Sequence, residues 1–365
     1  MLIYACISSH GFGHGSRSAA VLCELARLRP DWRLVLSTAL PDAFLRLAFG
    51  STPYTCRPNN WDVGMVQADA LGSDPDATLR DLAQLARRLP RQVGEEVSWL
   101  RAQPEQVLVL ADVPPAAALI ADALEAPLVW LASFGWDAIY EPMGGALAEQ
   151  AEACRQLYRR GTLLLHCPLS LPMEWDVPAL KIGLTCSAPR VDPAVLADRL
   201  RLERDRERCA LIGFGGLGLA LDPSLLEHWP QWTFLGSDPA LADVSNGRTL
   251  PPGVRPLDAM PLVSRLITKA GYSSFCEAFS QDVGIHLVER HGFAEAPVLA
   301  QALQDHGRHR LLSREQLESG DWQLDRPLLP PRLGPLPSDG ARVAAAALAQ
   351  LAESGRLPTI SNSDP

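Results

Sequence analysis

Apolar residues along this chain recur in two registers. Short unbroken runs, Leu2 to Ile7, Leu34 to Ser37, Val107 to Leu110, Leu128 to Leu131 and Leu163 to His166, alternate with segments of helical spacing. Val21, Leu22, Leu25 and Leu28 show that spacing and predict an amphipathic helix from about Ser16 to Arg29. Buried strands joined by crossover helices produce this alternation, so the chain reads as α/β with parallel sheets. The stretch from about Gly50 to Ser73 follows neither register. Helices are expected around Leu79 to Arg88 and in a second segment ending near Leu100, and Pro114 and Pro115 open a further one running to about Leu124. Ser133 to Tyr140 reads as a loop, and a helix from about Gly145 to Arg160 closes the series before its last strand.

Pro168, Pro172, Pro178 and Pro189 then punctuate the chain, which places an interdomain connection at about residues 169–190 after a first domain of residues 1–168. A second α/β series follows in residues 191–337, with strands expected at Cys209 to Phe214, Trp232 to Leu235, Leu266 to Thr268 and Ile285 to Val288. Residues 338–354 contain a clear helix, and residues 355–365 lack a core pattern and read as a tail. Two Rossmann-like, doubly wound domains of similar size place function in a cleft at the carboxyl ends of their strands.

The length of 365 residues suits two domains, and a composition 47% hydrophobic and 21% charged is that of an ordinary globular chain. A net charge of −9 argues against a nucleic-acid partner, because phosphate neutralisation needs a clustered basic surface. The start has no basic region ahead of its apolar stretch, and apolar runs elsewhere stop well short of a bilayer span. No integral membrane segment is expected, and a cytoplasmic protein is. Eight cysteines form no C-x-x-C pair, so neither zinc nor a disulfide framework is indicated.

Candidate chemistry lies just after strands. Ser8-Ser9-His10-Gly11-Phe12-Gly13-His14-Gly15-Ser16-Arg17 joins the first strand to the first helix. Its glycines let a ligand approach the backbone, the helix N-terminus offers free N–H groups, and His14 can take a proton from a hydroxyl. The same residues also suit a plain glycine-rich turn whose histidines cap the helix. Thr268-Lys269-Ala270-Gly271-Tyr272-Ser273-Ser274-Phe275-Cys276-Glu277 repeats the arrangement in the second domain. There Ser273 and Ser274 suit a diphosphate and Glu277 suits ribose hydroxyls, while Ser274 and Glu277 equally satisfy a helix capping box. Glu289, Arg290, His291 and Glu295 follow the next strand and suit sugar hydroxyls or a solvated loop.

Gly213-Phe214-Gly215-Gly216-Leu217-Gly218 matches G-x-G-x-x-G, with Asp238 twenty residues on, as a dinucleotide fingerprint would require. Pro223 interrupts the helix it should open, so a glycine loop facing the cleft through Gly215 and Gly216 is the preferred reading. Asp112 and Asp137 both follow strands, and either could orient a histidine. Asp74-Pro75-Asp76 is a turn rather than a metal site. No metal and no cofactor are expected.

Taken in order, SHGFGHGSR, ADVPPAAALIADAL, ASFGWDAIYEP, IGFGGLG, ITKAGYSSFCEAF and LVERHGFAEAPVLAQAL resemble the GT-B glycosyltransferases, specifically the transferase-like N-terminal portion of L-arabinokinase-type proteins and the UDP-glycosyltransferase superfamily. The resemblance covers most of the chain. It implies a first domain that receives an acceptor, a second that binds a nucleotide-diphosphate sugar, often a UDP-sugar, and a C-terminal helix that crosses back to the first domain. It implies His14 as general base of an inverting transferase, with Asp112 or Asp137 as partner and His10, Gly11 and Gly13 around the acceptor. It implies Lys269, Gly271, Tyr272, Ser273, Ser274 and Glu277 at the nucleotide, and Glu289, Arg290 and Glu295 at the sugar. Gly15-Ser16 stands where the arabinokinase-like pattern has Ala-Thr, and Ala270 where it has proline. The chain ends without a second glycine-rich phosphotransfer domain, so arabinose phosphorylation is not expected. A nucleotide-sugar sensor and a nucleotide-sugar epimerase remain as alternatives, and the oligomeric state is not indicated.

Overall fold

The computed structural model describes residues 1–66, 74–202, 206–214, 221–289 and 294–359. Gly215, Gly216, Arg290 and His291 lie outside the described residues. The chain divides into two compact units, one of Met1–Thr185, Phe293–Glu295 and Asp339–Pro365, the other of Cys186–Gly292 and Ala296–Ser338.

The first unit runs β1 (Leu2–Ile7), α1 (Phe12–Leu28), β2 (Arg33–Ser37), α2 (Asp42–Phe49), β3 (Thr55–Arg57), α3 (Pro75–Arg101), β4 (Val107–Asp112), α4 (Ala117–Leu124), β5 (Leu128–Ala132), α5 (Trp136–Tyr140), α6 (Gly145–Tyr158), β6 (Leu163–His166) and β7 (Ala179–Lys181). Its seven strands order as β3-β2-β1-β4-β5-β6-β7, all parallel. The central strands β1 and β5 are buried along their whole length, which is why they read as continuous apolar runs rather than alternating ones.

Four expectations are corrected here. The two helices expected between Leu79 and Leu100 are one helix, α3, which continues through Pro90. Ala86 and Pro90 are both exposed, so water can take up the carbonyl that proline leaves without its bond. Ser133 to Tyr140 is not all loop, since α5 forms within it. Part of the expected connection, Ala179–Lys181, is an edge strand pairing with β6, and the first unit extends to Thr185. Strand β3 lies in the stretch that showed no pattern, and is too short to display one.

The second unit runs α7 (Pro193–Leu200), β8 (Cys209–Ile212), β9 (Thr233–Gly236), β10 (Gly247–Thr249), α8 (Pro256–Ala259), β11 (Arg265–Lys269), α9 (Tyr272–Ser280), β12 (Gly284–Val288), α10 (Glu295–His306), β13 (His309–Leu312) and α11 (Arg314–Ser319). Its sheet orders as β10-β9-β8-β11-β12-β13, again parallel throughout. Ala210, Phe234, Ile267, Val288 and Leu312 from successive strands pack with Trp232 and Trp322 into one core. The last helix, α12 (Gly340–Ser354), belongs to the first unit, where it packs on α1 through an alanine-rich face. Gly340 makes a close approach, because a Cβ there would stand 2.0 Å from the Gly183 carbonyl oxygen.

His286 on β12 is fully buried, with Nδ1 2.9 Å from the Trp322 carbonyl oxygen and no partner for Nε2 among the described residues. Burial, reinforced by the Arg265 charge, pushes its pKa down to about 3. Between the ordinary 6.5 and about 3 the unfolded chain therefore binds one more proton than the folded one, and stability falls as pH falls. Urea denaturation is expected to show wild type losing about 2 kcal/mol more than His286→Gln between pH 6 and pH 4.5. Parallel losses in the two proteins would show that the folded imidazole titrates normally.

Candidate active site

In both sheets the strand order reverses once, between β1 and β4 and between β8 and β11. Chains leaving adjacent strands on opposite sides of such a point open a crevice at the carboxyl ends of the strands. Each crevice is bordered by one of the motifs singled out above.

At the first, β1 ends at Ile7, opposite Asp112 on β4, and the Ser8 amide donates to the Asp112 carbonyl at 2.8 Å. The chain then turns into α1, whose N-cap is Gly11, in extended backbone and without a side-chain cap. One helical turn puts residues three and four apart on the same face, so His14, Arg17 and Ser18 all face the end of β4. There they meet Asp112. His14 Nδ1 lies 2.8 Å from Oδ1, Arg17 Nη2 donates to Oδ1 at 2.5 Å, Arg17 Nε donates to Oδ2 at 2.9 Å, and Ser18 Oγ donates to Oδ2 at 3.0 Å. Arg17 Nη1 also donates to Ser133 Oγ at 2.7 Å.

Asp112 is 1% exposed, Arg17 2% and His14 8%. Burial alone would raise the Asp112 pKa, but the Arg17 charge and bonds and the His14 bond outweigh it and hold the carboxyl below the usual range. An ionised Asp112 can only accept, so His14 Nδ1 carries the hydrogen and Nε2 keeps a free lone pair. That tautomer is the one a general base requires.

Aromatic rings frame the imidazole, with Phe134 at 5.6 Å and Trp136 at 6.3 Å between ring centroids. Asp62 closes the site from below. It accepts from Trp136 Nε1 at 2.8 Å, and burial raises its pKa against bonds from Trp136 and Ser8 and the nearby His14 charge. His10 stands edge-on to Trp136, and a Cβ on Gly64, where φ is +70°, would collide with its ring at 2.2 Å. Gly11 faces open space.

Asp137 does not share this role and is corrected. It sits in α5, where its Oδ2 accepts from Trp175 Nε1 at 3.0 Å and lies 3.6 Å from Arg155 Nε, and the aspartate bonded to His14 is Asp112. Asp62, Arg17, Ser18 and Ser133 carry no assignment from sequence. Arg17 and Ser18 were findable from their helical spacing to His14, whereas Asp62 sits in patternless sequence.

At the second reversal, β11 leads through Ala270 and Gly271 into α9. The N-cap is Gly271, so Ser273 and Ser274 are the second and third helical residues and no capping box forms between Ser274 and Glu277. Gly271 has no side chain to offer the first amides of α9, which begin three residues after Lys269. Thr268 Oγ1 donates to the Gly213 carbonyl at 2.6 Å, tying this loop to the end of β8. Glu277 follows one turn on, and burial pushes its pKa up to about 7, against the pull of Arg255. Glu289 is exposed at the end of β12, and Glu295 is buried at the start of α10 and groups with the first unit. Asp238 is exposed and caps a short 3-10 turn through the Ala240 amide at 2.9 Å, which leaves it a local role. Asp74 likewise caps α3 through the Ala77 amide. Among the described residues no group of three His, Cys, Asp or Glu could hold a metal, and no helix is long and apolar enough to cross a membrane.

No family model matches the chain. An L-arabinokinase of Arabidopsis thaliana is 28% identical over 331 residues, 87% of this chain but 31% of that protein, so the chain spans about a third of its relative. Solved structures share the fold over nearly the whole chain. Arabidopsis thaliana UGT89C1 complexed with UDP-L-rhamnose matches with a TM-score of 0.60 at 11% identity, covering 97% of this chain and 95% of that one. The calicheamicin glycosyltransferase CalG4 matches at 0.60 and 16%, covering 97% and 99%. Medicago truncatula UGT71G1 complexed with UDP-glucose matches at 0.58 and 12%, covering 97% and 95%. The fold is therefore the α/β fold of the GT-B glycosyltransferases.

The buried carboxylate sets the stability of this region. Asp112→Ala takes the carboxylate away from the buried Arg17 guanidinium, a change that costs about 3–5 kcal/mol in comparable buried pairs. Equilibrium denaturation of the variant checks this, and a loss below about 1 kcal/mol would mean that water reaches Arg17.

Proposed function

We propose that this chain transfers a sugar from a nucleotide-diphosphate sugar to a hydroxyl acceptor, with inversion at the sugar carbon. The observation that carries the reading is the His14–Asp112 pair at the strand reversal of the first unit, with Nε2 left open. The likeness to structures that hold UDP-L-rhamnose and UDP-glucose supports a UDP-sugar as donor. In this reading the acceptor belongs to the first unit and the donor to the second.

His14 Nε2 takes the acceptor proton as the acceptor oxygen forms its bond to the sugar carbon. The bond from that carbon to the diphosphate breaks, and its electron pair leaves with the nucleotide. Asp112 keeps the ring oriented through Nδ1 while the proton is on Nε2. The N-terminus of α9, with Ser273 and Ser274, receives the diphosphate charge, as helix N-termini do for anions, and Glu277 accepts from ribose hydroxyls. His10 and Glu295 complete the acceptor and sugar contacts. This division of charge needs no metal ion, and transfer in EDTA is expected. A cytoplasmic location is part of this reading, in keeping with eight cysteines that form no disulfide.

Glu277 supplies a pH-dependent test. Its carboxylate form accepts hydroxyl bonds, and that form gains population as pH rises through about 7. UDP-glucose affinity measured by calorimetry is expected to rise, by up to about tenfold, between pH 6 and pH 8, and to stay flat in Glu277→Gln. A flat profile in wild type would remove Glu277 from the donor site.

His14→Ala separates chemistry from binding. It is expected to lower turnover by about 10²-fold or more while leaving UDP-sugar affinity within a factor of two or so. Turnover at the wild-type rate would make His14 a structural residue. Nucleotide-sugar binding without turnover on any hydroxyl acceptor would make the chain a binding module, and interconversion of the bound sugar would make it an epimerase.

A further inference from the structure

An aspartate that faces a histidine alone does two things. It orients the ring, and it stabilises the imidazolium by its charge. In this chain the second effect is opposed, because Arg17 lies on the same carboxylate. Its guanidinium engages both oxygens, at 2.5 and 2.9 Å, and its Nη2 stands 3.5 Å from His14 Nδ1. Ser18 takes a further lone pair of Oδ2, and Ser133 fixes the far end of the guanidinium. Each of these side chains is buried.

We infer that Arg17 is a positioning residue that fixes Asp112 and cancels its charge, so that Asp112 orients His14 without holding a proton on it. At rest the three groups sum to zero charge, and they become singly positive when His14 accepts the acceptor proton. A bare pair would pass from −1 to zero. The difference keeps Nε2 free at lower pH and makes the imidazolium readier to give its proton up. The other carboxyl groups near this cluster are Asp62, which accepts from Trp136 Nε1, and Glu295, whose Oε1 accepts from Ser133 Oγ at 3.4 Å, on the Nη1 side of the guanidinium rather than the side that meets Asp112. His10 is the remaining titratable neighbour and packs against Trp136.

The inference rests on His14 as base but not on any donor or acceptor, and its test needs neither. His14 is followed by long-range proton–nitrogen NMR of protein labelled at histidine nitrogens, across a pH series. Arg17→Gln keeps a hydrogen-bond donor and removes the charge; the midpoint of the His14 titration is expected to move up by about one pH unit or more relative to wild type. Arg17→Lys, which keeps the charge, is expected to return it to within about 0.3 unit, although the forked geometry is lost. A midpoint unmoved in folded Arg17→Gln overturns the inference and leaves Arg17 a structural residue, while the reading of His14 as base still stands on its own test. Should Arg17→Gln not fold, the double variant Arg17→Gln/Asp112→Asn removes both buried charges together. Its midpoint is expected to match wild type, and a fall of about one unit would show that Asp112 acts uncancelled.

Discussion

A carboxylate removed from water must find its hydrogen bonds inside the protein, and Asp112 finds all of them at one place. Two oxygens accept from an imidazole, from two guanidinium nitrogens and from a hydroxyl, three of these side chains coming from α1. Without that saturation the desolvation of Asp112 and Arg17 would be uncompensated. The bonds also fix α1 against β4, the strand across the reversal from the one that α1 follows. The helix position, the rotamer of His14 and the open lone pair on Nε2 are therefore consequences of one buried charge being satisfied.

A second buried carboxylate holds the other wall of the site. Glu96 on α3 accepts from Arg57 at 2.5 and 2.6 Å and lies 2.8 Å from the Tyr4 hydroxyl of β1. Burial would raise its pKa, but the Arg57 and Tyr4 bonds hold it below the usual range. Ser37 at the end of β2 accepts from Trp61 Nε1 at 2.9 Å in the same network. These bonds pin both ends of the segment from Arg57 to Trp61, and so present Asp62 and Gly64 to the histidine loop. The Tyr140 hydroxyl donates to the Gly64 carbonyl at 3.0 Å and fixes the segment from the far side. An irregular backbone is thus held in one conformation by polar bonds from four regular elements.

That origin explains which parts were legible beforehand. Strands buried on both faces announce themselves as apolar runs, and β1, β4, β5, β8, β9, β11 and β12 were readable to within a residue or two. β3, β7, β10 and β13 were not, because edge strands of three or four residues carry half-exposed side chains and no period. The motif around His14 stood out because glycines, histidines and a strand end coincide. Its partner did not, because Asp112 and Asp137 are equivalent by sequence position, and only strand order decides between them. Asp112 ends the strand beside β1, whereas Asp137 lies beyond β5 and finds Trp175. Asp62 could not have been anticipated, since its importance comes from a network of Arg57, Glu96, Tyr4 and Ser37 that no short-range pattern reveals.

The two units share a topology and use it for opposite electrostatic ends. In the first, the helix after the reversal turns side chains inward, and its buried face compensates a negative charge while leaving a proton acceptor open. In the second, the helix after the reversal follows a glycine N-cap that has no side chain to offer its first amides, and the carboxylate one turn on is pushed toward the neutral form by burial. In the proposed reaction a base and an anion cradle have conflicting needs, since a phosphate near His14 would hold its proton. Placing them at separate strand reversals removes the conflict.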